Sequence, residues 1–304
     1  MTPHTTTRHM TSASMPSGPA RRARPVSSPE SRLRLQGRDF EVLRFLWAHG
    51  LASRAQLQEL FFGSVARANA RLKQLLEHRL VRRHSLALTP LGSWGEQAVY
   101  GLESAALPLL AERFDLDAGT LRLRERGEAA PALARHALGC VEFGLALRRD
   151  AVRAGAILET WLGENEARHC YEWRAQGGAW NSETFKPDGF VRLRFGGESL
   201  VAAFLERDLG HTSSDGWKRK LATYRRYLDT GVFREAYGHE RFLVLCATTG
   251  ERRRDHLAEL AREGNAPFLR AAAWGDIERE GALSPVWRAP GSDTVQALGG
   301  GAMP

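Results

Sequence analysis

The chain has 304 residues, with 43 Lys and Arg against 35 Asp and Glu, a formal net charge of +8 and a pI near 9.9. That length reads as two domains plus tails with an ample core, and the positive excess favours a polyanionic partner such as nucleic acid. No apolar run approaches the roughly 20 residues that span a bilayer, and the N-terminus lacks the apolar stretch of a secretory signal, which excludes a helical membrane protein and points to the cytoplasm. Cys140, Cys170 and Cys246 are too far apart in sequence for a zinc or disulfide pattern and read as buried, reduced thiols.

Residues 1–36 are rich in Thr, Ser, Pro and Arg without periodicity and read as a disordered basic tail, whose Arg21, Arg22 and Arg24 can touch phosphates. Residues 37–92 read as a winged helix-turn-helix. Phe40, Leu43, Phe45, Leu46 and Trp47 mark a first short helix ended by His49-Gly50. Ser53 with Gln56 makes a capping box that opens a second helix. A third begins near Ser64 with Val65, Ala68, Leu72, Leu75 and Leu76 inward and Arg67, Arg71, Gln74 and His78 outward. Two short strands follow, at 80–84 and 86–92. Three helices and a hairpin in that order place the third helix in a major groove. Arg67 and Arg71, four apart, reach the groove together with Gln74, while Arg82, Arg83 and His84 meet phosphates. Helical character from Ser93 to about Phe114, then a stretch of mixed charges, makes residues 93–130 a linker.

Residues 131–288 read as an α/β domain: a long amphipathic helix, a strand at 157–163, a hairpin of 188–195 with 200–206, a helix through Trp217, Leu221, Tyr224 and Leu228, a strand at 241–248, a helix at 255–262 and a last strand at 267–274. This order matches the core of the PD-(D/E)XK nuclease-like fold. Residues 289–304 read as a flexible tail.

The hairpin decides where its acids meet. A strict two-residue turn at Gly196-Gly197 sets Asp188 opposite Leu205 and sends the acids to opposite faces. A three-residue loop with a left-handed glycine pairs Asp188 with Glu206 instead. Asp188, Glu206 and Asp208 then share one face, with Phe190 and Phe204 behind them. Such carboxylates suit Mg²⁺ or Mn²⁺, held by Asp188 and Glu206, and the ion generates hydroxide beside a phosphate. The position two residues after Glu206, where a lysine completes that chemistry, holds Asp208. Lys220 on the next helix is the better candidate for the missing amine, ahead of Lys218. Glu142 and Glu164 either extend the same site or stand as surface acids. No phosphate loop or nucleophile elbow occurs, so NTP hydrolysis and acyl transfer have no support.

The helix beginning RHAL, the segment KPDGF, the run FLERDLG followed by KLATYRRY, and the LTPLG after the third helix resemble the replication-relaxation proteins of bacterial plasmids and other mobile elements. The resemblance covers roughly residues 38–250. In that family the second acidic motif is similar to the Glu-x-Asp seen here, and the wing of this chain is shorter. The resemblance implies a double-stranded DNA partner and a link to plasmid replication or relaxation. A fold likeness to restriction-type nucleases does not by itself carry catalysis.

Three functions therefore stand. The first is a DNA-binding protein that needs no cofactor. The second is a Mg²⁺- or Mn²⁺-dependent endonuclease using Asp188, Glu206, Asp208 and Lys220. The third is a transcriptional regulator, or a module that docks replication or transfer proteins. A homodimer on a palindromic site is compatible with each.

Overall fold

The computed structural model describes residues 33–86, 97–117, 121, 131–175, 177–197 and 199–299; the expected basic tail of residues 1–36 lies almost wholly outside them. Helix α1 (Gly37–His49) begins where Gln36 and Asp39 cap each other's backbone N–H groups, and ends at Gly50. Strand β1 (Leu51–Ser53) leads into α2 (Arg54–Phe61), opened by the expected Ser53 and Gln56 capping box, and Ser64 caps α3 (Val65–Glu77). Ala68, Leu72 and Leu75 of α3 are buried, whereas Val65 and Leu76, expected inside, are exposed.

Strand β2 (Val81–Leu86) pairs along its whole length with β3 (Gln97–Leu102), and β3 also pairs with β1. This corrects two expectations. The partner strand is not 86–92, of which all but Leu86 lies outside the described residues, and 97–102 is not helical. Two backbone ladders, one on each side of β3, outweigh the weak local preference of that segment. Helix resumes only with a 3₁₀ turn (Ser104–Ala106) and α4 (Leu107–Phe114).

Helix α5 (Pro131–Arg153) and β4 (Ile157–Gly163) fall where the periodicity put them. A separate hairpin, β5 (His169–Arg174) with β6 (Trp180–Phe185), was not expected; Trp180 apart, its outward residues are mostly polar and give little hydrophobic signal. Then come β7 (Gly189–Arg194), β8 (Leu200–Arg207), α6 (Ser214–Asp229), α7 (Val232–Tyr237), β9 (Leu243–Thr248), α8 (Glu251–Glu263), β10 (Leu269–Ala273) and α9 (Trp274–Glu280). Two short strands, β11 (Trp287–Arg288) and β12 (Val295–Gln296), return to the sheet edge and Leu298 is buried, so the segment expected to be loose from Ala289 is paired through Gln296.

The main sheet runs β12-β11-β10-β9-β8-β7-β4, with β8, β9 and β10 parallel and the outer pairings antiparallel. Alternation along β7 and β8 divides the core in two. Phe190, Ala202 and Phe204 pack under α6 and α8 with Trp217, Tyr224 and Leu257. Val191, Leu193, Val201, Ala203 and Leu205 pack under α5 and α9 with Phe143, Leu147 and Ile277. The α/β class is as expected, and no helix among the described residues is long and apolar enough to cross a membrane.

The described residues from Leu35 onward form one compact unit. Helix α1 is sealed to the main sheet by Trp161 of β4, whose ring meets Phe45 edge-on at 5.5 Å and His49 at 5.0 Å. Asn165 donates to the Trp47 carbonyl at 2.5 Å, and Gln56 Nε2 donates to the Leu138 carbonyl at 3.0 Å. Trp161 lies so close on Gly144 of α5 that a Cβ there would come within 2.1 Å of the ring. Gly144→Ala is therefore expected to destabilise the protein by about 1–3 kcal/mol through overpacking. Urea unfolding measures it, and an unchanged midpoint would mean that Trp161 does not hold this seam.

Candidate functional site

The β7–β8 register runs from Arg194 opposite Leu200 to Gly189 opposite Leu205, and one step further sets Asp188 opposite Glu206. The Phe195 N–H donates to the Ser199 carbonyl at 2.9 Å, which leaves three residues in the loop, and Gly197 has a φ of +76°. The three-residue alternative is thus the one adopted.

Glu206 is 1 % exposed, at the end of β8 beneath α6. Its two oxygens take hydrogen bonds from Lys220 Nζ and from Tyr224 OH, the latter at 2.5 Å. Lys220 and Tyr224 lie four apart on one face of α6, and the Lys220 ammonium also sits 5.5 Å from the Trp217 ring centroid. Asp188 is held from the other layer. His136 of α5 lies 3.1 Å from its Oδ1, and the Arg207 N–H donates to its Oδ2 at 2.8 Å.

These surroundings push the two carboxyls apart. Burial drives Glu206 up to about 7, against the pull of Lys220 and with help from the Asp188 charge. Burial acts on Asp188 in the same sense, but the Lys220 charge and the His136 and Arg207 hydrogen bonds hold it well below the usual carboxylate range. Lys220 is raised above its ordinary value because the charges of Glu206 and Asp188 outweigh its desolvation. A carboxylate that stays ionised beside a carboxyl that titrates near neutrality is an arrangement suited to acid–base chemistry.

Asp208 does not join them. Past the end of β8 it accepts from Thr248 Oγ1 and Arg253 Nε, both at 2.8 Å, which tie it to β9 and α8. Burial would raise its pKa, but these two donors keep it lowered. The expected trio is therefore a pair plus a structural carboxylate. Glu142 is tied to Arg149 and Glu164 to Lys186, both at 2.8 Å. His136 was passed over in the sequence, although its place on the inward face of the helix beginning RHAL was the available signal. Of the three free cysteines only Cys246 is buried, while Cys140 is partly exposed and Cys170 exposed, which corrects the expectation of buried thiols.

The basic residues of the first 86 positions are also redistributed. Arg71 makes a two-pronged contact with the buried Asp39, Nε to Oδ1 at 2.8 Å and Nη2 to Oδ2 at 2.5 Å, and its third nitrogen binds Gln74 at 2.6 Å. It braces α3 against α1 rather than reaching outward, and it engages Gln74 as well. Arg67 stays exposed. Alternation along β2 puts Arg83 on one face and Arg82 and His84, both half-buried, on the other. Arg83 lines a groove of about 440 Å³ between α3 and the hairpin, together with Arg54, Asn69, Lys73 and Tyr100. No carboxylate lines it, and Arg54 Nη1 is buried without a hydrogen-bond partner among the described residues. Arg54, Asn69 and Lys73 were missed because their convergence depends on how the hairpin folds over α2 and α3.

Fold and site together define a mixed α/β protein with a cationic groove and a buried acid–base cluster. A family model described as replication-relaxation matches residues 43–241, and the chain belongs to that family. Membership carries a role in plasmid or mobile-element replication or relaxation, and involvement with DNA and the replication machinery in general. No curated protein and no solved structure is a match.

The raised Glu206 pKa fixes the sign of a pH effect. Its contribution to stability is fully present below the unfolded value near 4.5 and is lost as pH rises through about 7. Urea unfolding between pH 4.5 and 8 should show wild type losing stability relative to Glu206→Gln over that window. Parallel curves would mean that Glu206 is ionised throughout.

Proposed function

We propose that the protein binds duplex DNA through the groove between α3 and the β2–β3 hairpin, in the service of plasmid or mobile-element replication or relaxation. The carrying observation is the groove itself: Arg54, Lys73 and Arg83 line it, Lys73 in a loose exposed pair with Glu77 at 3.8 Å, and the buried Arg54 nitrogen lacks the acceptor that a phosphate would provide. The order α1-β1-α2-α3-β2-β3, with β1 paired to β3, supports the winged-helix reading, in which α3 enters the major groove. Asn69 and Arg67 on the exposed side of α3 are then the base readers, and Arg54, Lys73 and Arg83 hold phosphates. Arg71 positions α3 through Asp39. Binding should weaken steeply with salt, and Lys73→Ala and Arg83→Ala should each lower the slope of log K against log salt by about one while weakening all sequences alike. Fluorescence anisotropy with a short duplex at several salt concentrations measures this. Slopes unchanged in both variants would remove the groove from the DNA interface.

A second reading, a divalent-metal-dependent endonuclease, is favoured by Lys220. The order α5-β4-β7-β8-α6-β9, interrupted by the β5–β6 hairpin and by α7, supports a PD-(D/E)XK nuclease-like reading, and Lys220 reaches Glu206 from α6 in place of the amine that Asp208 displaces from the motif. The donor set of Asp188 and Glu206 fits Mg²⁺ or Mn²⁺, and such an ion supplies a Lewis acid and an activated water when bound. Asp188, ionised, would anchor it; Glu206 would accept or return a proton near neutral pH; Lys220 would offset charge on the phosphate. Supercoiled plasmid incubated with Mn²⁺ should be nicked or relaxed by wild type, and not by Glu206→Ala or Lys220→Met, nor in EDTA. Intact but gel-retarded plasmid under all conditions would leave binding as the activity.

A further inference from the structure

Helix α5 sets His136 and Cys140 four residues apart on one face, and the turn at Pro187-Asp188 brings a carboxylate to the same point. His136 Nε2 lies 3.1 Å from Asp188 Oδ1 and 3.6 Å from Cys140 Sγ. The three donor atoms all lie within 4.8 Å of one another. A ring nitrogen carries at most one hydrogen, so His136 Nε2 makes one good hydrogen bond and serves only one of its two neighbours. A cation between the three atoms serves all of them. The two separations made by His136 suit one: with bonds of about 2.0–2.3 Å to nitrogen, oxygen and sulfur, the edges of a tetrahedron come to roughly 3.3–3.6 Å, close to the 3.1 and 3.6 Å found. The same three residues line a cavity of about 30 Å³ together with Glu164 and Asn165, room for one water.

We infer that His136, Cys140 and Asp188 form a binding site for one divalent ion of the Zn²⁺ class, with a fourth position open to water. A thiolate and an imidazole beside a single carboxylate select Zn²⁺ or Co²⁺ over Mg²⁺, which demands oxygen ligands. Cys140 releases its proton to solvent when the ion binds. Three protein ligands with one open position is the arrangement of a catalytic rather than a structural zinc. The site shares Asp188 with the endonuclease reading but depends on neither functional reading, because the metal is detected directly and without DNA.

The test uses the full chain carrying Cys170→Ser, which removes the exposed thiol, titrated with Co²⁺ and followed by absorption. One equivalent should give the visible bands of tetrahedral cobalt and a thiolate-to-cobalt charge-transfer band, both removed by one equivalent of Zn²⁺. Adding Cys140→Ser should abolish the charge-transfer band, and His136→Gln should weaken binding roughly tenfold or more, with far-UV circular dichroism showing that each variant is folded. No charge-transfer band in the Cys170→Ser protein, or a band that survives Cys140→Ser, overturns the inference. Weak octahedral absorption without that band also overturns it, while leaving an all-oxygen site at Asp188 and Glu206 in place.

Discussion

A carboxylate removed from water costs several kcal/mol unless donors replace its hydration, and Glu206, 1 % exposed at the end of β8, has that cost offset in part by Lys220 and Tyr224. Much of the neighbouring architecture follows from it. Both donors come from one face of α6, so that helix must lie across the sheet where Lys220 and Tyr224 reach the strand end. The aromatic body of Tyr224 is then committed to the cluster of Phe185, Phe204 and Phe242. Asp188, set opposite by the β7–β8 register, adds a second negative charge that only the Lys220 ammonium and the α5 side can balance. The acid pair and the packing of α6 are one constraint seen from two sides.

Helix α5 ties this cluster to the first third of the chain. One of its faces brings His136 to Asp188, another receives Trp161 over Gly144, and its middle accepts Gln56 of α2 at the Leu138 carbonyl. Arg149, tied to Glu142 of its own helix at 2.8 Å, reaches Glu59 of α2 at 2.6 Å across the same boundary. Because α2 also carries Arg54 to the cationic groove, the groove and the acid cluster are attached to a single strut. Two modules joined by a linker would leave their relative placement to chance; here hydrogen bonds, ion pairs and a tryptophan fix it.

Much of this was legible in the residues. The Ser53 and Gln56 capping box, the stripe of α3, the span of β4 and the hairpin with its glycine turn all have local causes: a hydroxyl within reach of an N–H, an apolar period of 3.6 or 2, a residue free to take positive φ. The long-range assignments fared less evenly. Lys220 could be nominated because it lies beside the buried stripe of α6, but Asp208, with the right spacing for the cluster, turns instead to Arg253 of a helix formed more than forty positions later. Arg71 has the spacing of a groove reader and is drawn inward because Asp39, fully buried on another helix, needs its charge. β3 looked helical in isolation and became a strand once two partners flanked it.

By itself, then, the sequence determined the periodic elements, their caps and turns, the α/β class, the excess positive charge and the short motifs that mark the family, because each depends on neighbours within about a turn of helix or one hairpin. Tertiary structure alone decided which charges are tied to distant partners and which gather at a surface. Arg71 and Asp208 are consumed by partners, Arg54, Lys73 and Arg83 converge on one groove, and His136 and Cys140 meet Asp188. The reason is physical: a charge is committed by whatever shares its burial, and burial is set by elements that lie far apart along the chain.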